Sequence, residues 1–426
     1  RLNLVGRVYG PTGRMREAKR QLAVILASPD VGGMALWRGV ALMNLGNASW
    51  VEGNPQKGEQ YLRRAARIFR RAGLAHRETE AANNLSALLG EMGAFAKGAW
   101  WAHRALRLAE SLSQRSHLTL ARLNLVSSLL ALGEVRQASF HVETAEAQAQ
   151  AQGHKIDLAH ALQRRAYLAL LECDGFRLAS SSRKAIELFR ELAQHRDAAS
   201  SMWAYARYCR HLRRPDQWLV FLQSLPADLL VEIGSSDEAW ARPLAELQSW
   251  VSEKPSAPPD PCGEPRPTFH DESLEAALLE AEKGLERLEC ERHLPRFRAT
   301  LARLQRWPTF ETRLASLLLQ EAATGNADGA GVGRLQNRLR RCVGGIHGIR
   351  VLGLLVQRGV LKPPLTWEGL ALDRLSQFRG RNPSWAWDAL LRFPEIKALA
   401  NRLHPGPSPD ACGLKRRRSP RGEGRL

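Results

Sequence analysis

The chain has 426 residues, with 62 lysines and arginines against 43 aspartates and glutamates, a formal net charge of +19. Hydrophobic residues make up 44%, enough for a packed core, which excludes a globally disordered chain. No apolar run approaches the roughly 18–20 residues of a membrane-spanning helix, so no membrane partner is expected.

The six cysteines are sparse and no pair has C-x-x-C spacing. This argues against a disulfide framework or a zinc module and for reduced thiols in a cytoplasm. Arginines number 52 against 10 lysines. A GC-rich bacterial genome produces that bias without selection on function, which lowers the weight of the basic charge as a sign of a polyanion partner.

From the N-terminus a glycine-led hexapeptide recurs. Copies start at Gly13, Gly53, Gly93 and Gly133, and a fifth starts at Asp174, with Gly175 beside it. The spacing is 40, 40, 40 and then 41. Each copy ends on a small residue: Ala18, Gly58, Gly98, Ala138 and Ala179. A small residue is required where two helices cross closely. Asn54 before Pro55 suits a helix start, with asparagine as cap and proline at the first helical position.

Upstream of each turn lies a second signature. It reads Val5-Gly6 with Tyr9, then Asn44-Leu45-Gly46, Asn84-Leu85-Ser86 and Asn124-Leu125-Val126, with Ala166-Tyr167 in the fifth copy. Leu85, Leu88 and Leu89 share one helical stripe, as do Leu125, Leu129 and Leu132. In the following segments Leu62, Ala65 and Phe69, then Ala102, Ala105 and Leu108, do the same.

These residues resemble the tetratricopeptide repeat (TPR) family, whose unit is a helix–turn–helix with Leu-Gly-x-x-Tyr in its first helix. Val5-Gly6-Arg7-Val8-Tyr9 and Leu45-Gly46 match best. The resemblance covers roughly residues 1–225, with a weaker sixth unit over 203–219 in which Arg214 replaces the turn glycine. The period of 40 exceeds the family's usual ~34. Longer repeats of this kind resemble the sensor arms of bacterial signalling and transcription-regulatory proteins, where a kinase or NTPase-type domain precedes the array. Arg1 would fall inside the first helix of a unit, and half a hairpin cannot bury its apolar face, so the chain is expected to extend upstream.

The resemblance implies an all-α fold: a right-handed solenoid of helical hairpins over residues 1–250, with a concave groove. Residues 251–268 hold six prolines and read as a linker. Residues 269–404 read as a smaller, mainly helical region, with two short helices over 384–403 and an untyped stretch over 334–362. Residues 405–426 read as a basic, disordered tail.

No catalytic, cofactor or metal motif stands out. The glycine-rich loop over 325–333 lacks the Lys-Ser/Thr of a phosphate loop, since Arg334 follows it. Cys290 and His293 have ligand spacing but no second pair. Neither His-Glu-x-x-His nor G-x-S-x-G occurs, so no enzyme activity and no cofactor are expected.

The resemblance places Asn44, Asn84 and Asn124 on the groove side of the first helices, where each carboxamide can bond a peptide backbone as donor and acceptor. The alternative is a bridge between neighbouring helices. The fifth copy, in its 41-residue register, carries Arg165 at this position beside Arg164, a pair suited to a carboxylate or phosphate. Trp50, Trp100 and Trp101 read as inter-repeat core ahead of interface anchors. Two arginine groups, over 63–77 and 207–214, together with the basic tail, leave polyanion or nucleic-acid binding as the alternative to protein or peptide recognition.

Overall fold

The computed structural model describes residues 15–27, 34–112, 115–226, 228–229, 301–302, 304, 309–324, 339, 345–357 and 364–403. The 251–268 linker, the 405–426 tail, the 325–333 loop, Cys290, His293 and the motif over 5–9 lie outside them. The described residues form sixteen helices and no strand. Eleven precede residue 230: α1 (Met15–Ala27), α2 (Ala35–Val51), α3 (Pro55–Arg71), α4 (Ala75–Glu91), α5 (Phe95–Ser111), α6 (Arg115–Leu132), α7 (Val135–Gln152), α8 (Lys155–Glu172), α9 (Gly175–Glu191), α10 (His195–His211) and α11 (Pro215–Gln223). Five follow residue 309: α12 (Phe310–Thr324), α13 (Gly345–Gln357), α14 (Pro364–Arg381), α15 (Ser384–Leu390) and α16 (Pro394–Leu403). None of the described helices is long and apolar enough to cross a membrane.

One turn, repeated, builds the first eleven helices. A residue with positive φ stands at Gly53, Gly73, Gly93, Gly133, Gly153, Cys173, Ala193 and Arg213, on a grid of twenty residues. Each turn carries the same two hydrogen bonds. At the first, Gly53 N–H donates to Trp50 O and Asn54 N–H to Ser49 O; at the sixth, Cys173 N–H donates to Leu170 O and Asp174 N–H to Ala169 O. This is the Schellman arrangement, which satisfies the last carbonyls of one helix. The next residue caps the following helix at once: Asn54 and Asp174 each accept a backbone N–H on their side chains, from Lys57 and Arg177. The chain therefore reverses in three residues and adjacent helices must pack antiparallel.

The grid corrects the fifth copy. Its turn residue is Cys173, not Asp174, so the period stays at 40, and the sixth unit turns at Arg213, with Arg214 as the cap. Gly175 is glycine for another reason: a Cβ there would meet Asn382 Oδ1 at 2.5 Å and the Tyr208 hydroxyl at 2.6 Å.

Within a hairpin the helices cross at small residues. A Cβ on Gly46 would lie 2.7 Å from Leu62 Cγ and 3.1 Å from the Gly58 carbonyl. One unit on, the Ser86 hydroxyl donates to the Gly98 carbonyl at 2.9 Å. Each helix packs on its predecessor and successor, and the first helices α2, α4, α6, α8 and α10 also pack on one another, which the second helices α3, α5, α7, α9 and α11 do to a lesser extent. In a curved array the layer with the closer neighbours lies inside. The array is thus solenoid-like, with the first helices on its inner face.

The C-terminal helices do not stand apart. α13 packs on α8 and α10, and α12 on α6 and α13. Ile346, Ile349, Leu352, Leu314 and Leu318 join one core with Leu125, Leu170 and Tyr208. The anchor is Asn382, 5% exposed. Its Oδ1 accepts from Gly175 N–H at 2.8 Å and Tyr208 O–H at 2.5 Å, and its Nδ2 donates to the carbonyls of Cys173 at 2.6 Å and Phe378 at 2.7 Å. Around it Arg213 stands over Phe393 and Arg214 over Trp385, each 5.3 Å from the ring centre. The stretch over 345–357, untyped from sequence, is helix α13, and the two helices expected over 384–403 are α15 and α16.

Two outcomes follow. Ala193 is exposed and carries a φ of 53°, whereas Gly153, with a φ of 66°, has open space where a Cβ would go. Ala193→Gly should raise stability by about 0.5–1 kcal/mol and Gly153→Ala lower it by about 1 kcal/mol in urea titrations, because left-handed backbone penalises any Cβ. Asn382→Ala should cost about 3 kcal/mol by stranding buried polar groups, and limited proteolysis should then cut within 309–403 before the array.

Candidate binding groove

The inner face carries one stripe of half-buried and exposed side chains per first helix, at helical spacing. It runs His76, Glu80, Asn84 and Ala87 on α4, Leu120, Asn124 and Ser127 on α6, and His160, Arg164 and Tyr167 on α8. The asparagines reach back to the preceding first helix. Asn84 Nδ2 donates to Asn47 Oδ1 at 3.2 Å, and Asn124 Nδ2 to the Asn83 carbonyl at 3.3 Å. They bridge neighbouring units and border the groove at once. Both bonds use the amide nitrogen, and among the described residues neither Oδ1 accepts a hydrogen bond. Asn44 has the same register on α2 and is half-buried; the residue one such step before it, Arg7, lies outside the described residues.

The 40-residue grid places Arg164, not Arg165, next in this row. Arg164 Nε reaches back to Ser127 Oγ at 3.2 Å, the same 37-residue step as from Asn84 to Asn47. Arg165 points elsewhere: its Nη1 pairs at 2.8 Å with Glu146 on the second helix α7. The acceptors Asn47 and Ser127 were legible as polar residues three positions after Asn44 and Asn124. The equivalent position in the unit between them is Ala87, which offers no side-chain acceptor, so Asn124 turns to a backbone carbonyl instead.

Arg164 is held by neutral groups. Besides Ser127, Nη1 bonds Gln163 Oε1 and lies 3.3 Å from His160 Nδ1. No described carboxylate lies within ion-pair distance of it. Burial lowers its pKa, an effect partly offset by the more distant Asp197 and Tyr167. His160 is pushed down to about 4 by burial first and by the Arg164 charge second, so it is neutral near pH 7. Gln163, buried, anchors the cluster to α10 through the Asp197 carbonyl at 3.1 Å and Ser201 Oγ at 3.3 Å.

The other singled-out residues fall outside this stripe. Trp101 is buried, with the Arg63 guanidinium 5.9 Å from its ring centre, while Trp100 is 51% exposed on the second helix α5. Trp50 is half-buried and its Nε1 donates to Glu91. The arginine groups are largely engaged. Arg63 pairs with Glu59, Arg70 with Glu78 and Arg77 with Glu80. Arg210 is buried, Arg213 stacks on Phe393 and Arg214 pairs with Asp216. Arg64, Arg67 and Arg71 are partly or fully exposed on α3. Cys173 and Cys209 are buried and not joined in a disulfide.

The histidine supplies a pH signature. The unfolded chain takes up a proton near pH 6.5 that folded His160 refuses until about pH 4. Its contribution is therefore fully present above pH 6.5 and is lost as pH falls towards 4. Denaturant midpoints measured across that range should fall with pH, and His160→Gln should flatten the slope.

No protein-family model matches the chain, and no curated protein matches it.

Proposed function

We propose that this chain is a TPR-type, right-handed solenoid that recognises a peptide or protein segment in its inner groove. In this reading it is the sensor or interaction arm of a larger bacterial signalling or transcription-regulatory protein in the cytoplasm. The observation that carries the reading is Arg164: a half-buried guanidinium on the inner face, fixed by Ser127, Gln163 and His160, with no described carboxylate paired to it. A preorganised cation beside a row of carboxamides suits an extended segment with an acidic side chain or a terminal carboxylate. Arg164 takes the carboxylate, and Asn44, Asn84 and Asn124 take backbone N–H groups on their Oδ1 atoms. Arg165 contributes through Glu146, by holding α8 against α7.

Polyanion binding is the weaker reading, because Arg63, Arg70, Arg77, Arg213 and Arg214 are paired or stacked within the protein. Neither reading invokes catalysis or a cofactor.

The test is to pan a random peptide library against the full chain and measure the selected peptides by titration. Acidic or carboxylate-ended sequences are expected. Arg164→Ala should weaken them about tenfold or more, consistent with loss of a charged hydrogen bond, and Asn84→Ala with Asn124→Ala by a further few-fold. Lys57→Ala, on the outer layer, should change nothing. Selected peptides that bind all variants equally would refute the groove.

A further inference from the structure

Among the described residues one group of side chains meets the requirements of a metal site: His76, Glu80 and His117, whose ligand atoms all lie within 4.8 Å of one another. We propose that these three bind one borderline divalent transition ion, zinc foremost, across the starts of α4 and α6. This goes beyond peptide recognition and does not depend on it.

The sequence dictates the geometry. His76 and Glu80 are four residues apart, so they share one face of α4 a turn apart. His76 Nε2 lies 3.3 Å from Glu80 Oε1. His117 comes 41 residues after His76, near the same place in the next unit, and the two rings meet edge to face with centres 5.2 Å apart. Two imidazoles and one carboxylate are a donor set that zinc takes readily. With metal–ligand bonds of about 2.0–2.2 Å, tetrahedral ligand atoms stand about 3.3–3.5 Å apart. The His76–Glu80 pair already has that separation. Closing the two remaining edges requires His117 to move by about 1.5 Å, within reach of its two side-chain torsions.

Two neighbours fit a second layer around such an ion. Arg77 Nη1 donates to both Glu80 oxygens, at 3.0 and 2.8 Å, and so orients the carboxylate, though its positive charge opposes a cation. Asn83, 2% exposed, lies on the same stripe as His76 and Glu80, and neither its Nδ2 nor its Oδ1 has a hydrogen-bond partner. Gln163, at the same register two units on, reaches the carbonyl of Asp197, 34 residues ahead. The residue 34 ahead of Asn83 is His117. Asparagine is one methylene shorter than glutamine, which accounts for the unmade bond. The register thus points its carboxamide to the His117 backbone, where a water on the metal would give it a partner. Three protein ligands leave the fourth tetrahedral position for that water or for an acidic group in the groove.

The experiment uses the full chain, freed of metal with a chelator, titrated with zinc by calorimetry and with cobalt by visible absorption. One equivalent should bind with a cobalt spectrum lacking thiolate charge transfer, which separates this site from the cysteines. His76→Ala or His117→Ala should weaken that equivalent at least about tenfold, a lower bound set by what outer-layer changes alone achieve. His103→Ala should leave it intact; that ring, on α5, stands 6.3 Å from His141 on α7, outside the proposed site. Arg77→Gln should tighten it several-fold, an effect that a plain surface ion pair between His76 and Glu80 would not produce. Zinc should raise the melting temperature of the wild type and not of His117→Ala. Should an alanine variant fail to fold, Glu80→Gln provides the same loss with the shape kept. Absence of binding, or equal binding by the wild type and the ligand variants, would overturn the site.

Discussion

A left-handed residue on a twenty-residue grid is the constraint on which the rest of this structure depends. It closes each helix with the same two hydrogen bonds and starts the next one residue later. Equal helices with equal turns must stack at a constant step. A side chain at any position is then repeated forty residues on, facing the same way. Five of the eight positions are glycine, which adopts this backbone without penalty. The other three, Cys173, Ala193 and Arg213, hold it at a cost of about 1 kcal/mol each. Two of those three sit where the C-terminal helices dock, so part of that cost is offset by contacts with Asn382 and Phe393.

The constant step turns sequence repetition into a surface. Asn84, Asn124 and Arg164 share one register, and each reaches back to the preceding first helix. That bond ties neighbouring units together, and among the described residues it leaves the Asn84 and Asn124 Oδ1 atoms without a donor. The C-terminal helices lie along the same layer, α12 on α6 and α13 on α8 and α10. Rigidity of this kind limits the conformational entropy lost on binding. Arg164 is the one member of the row that carries a charge, and its hydrogen-bond partners are all neutral.

Much of the array was legible because its signals are local. Glycine at 53, 93 and 133 marks left-handed turns, and the buried stripes of Leu85, Leu88 and Leu125 follow from helical period. The fifth copy was misread by one residue because Cys173 gives no composition cue for positive φ, while Gly175 offers a false one. That slip moved the groove charge from Arg164 to Arg165. The docking of the C-terminal helices was not legible, since its anchor joins residues more than 200 positions apart and nothing in local pattern encodes such a pairing. His76, Glu80 and His117 escaped notice for a similar reason: only the stacking of two units brings the third ligand to the first two.

The central claim is that the first-helix layer, not the second, is the recognition surface. Amide hydrogen exchange of the full chain, with and without a peptide selected on it, tests this most directly. The account predicts new protection in α4, α6 and α8, centred on Asn84, Asn124 and Arg164, with the second helices unchanged. Protection centred instead on α5 and α7, around the exposed Trp100 and Phe140, would contradict it.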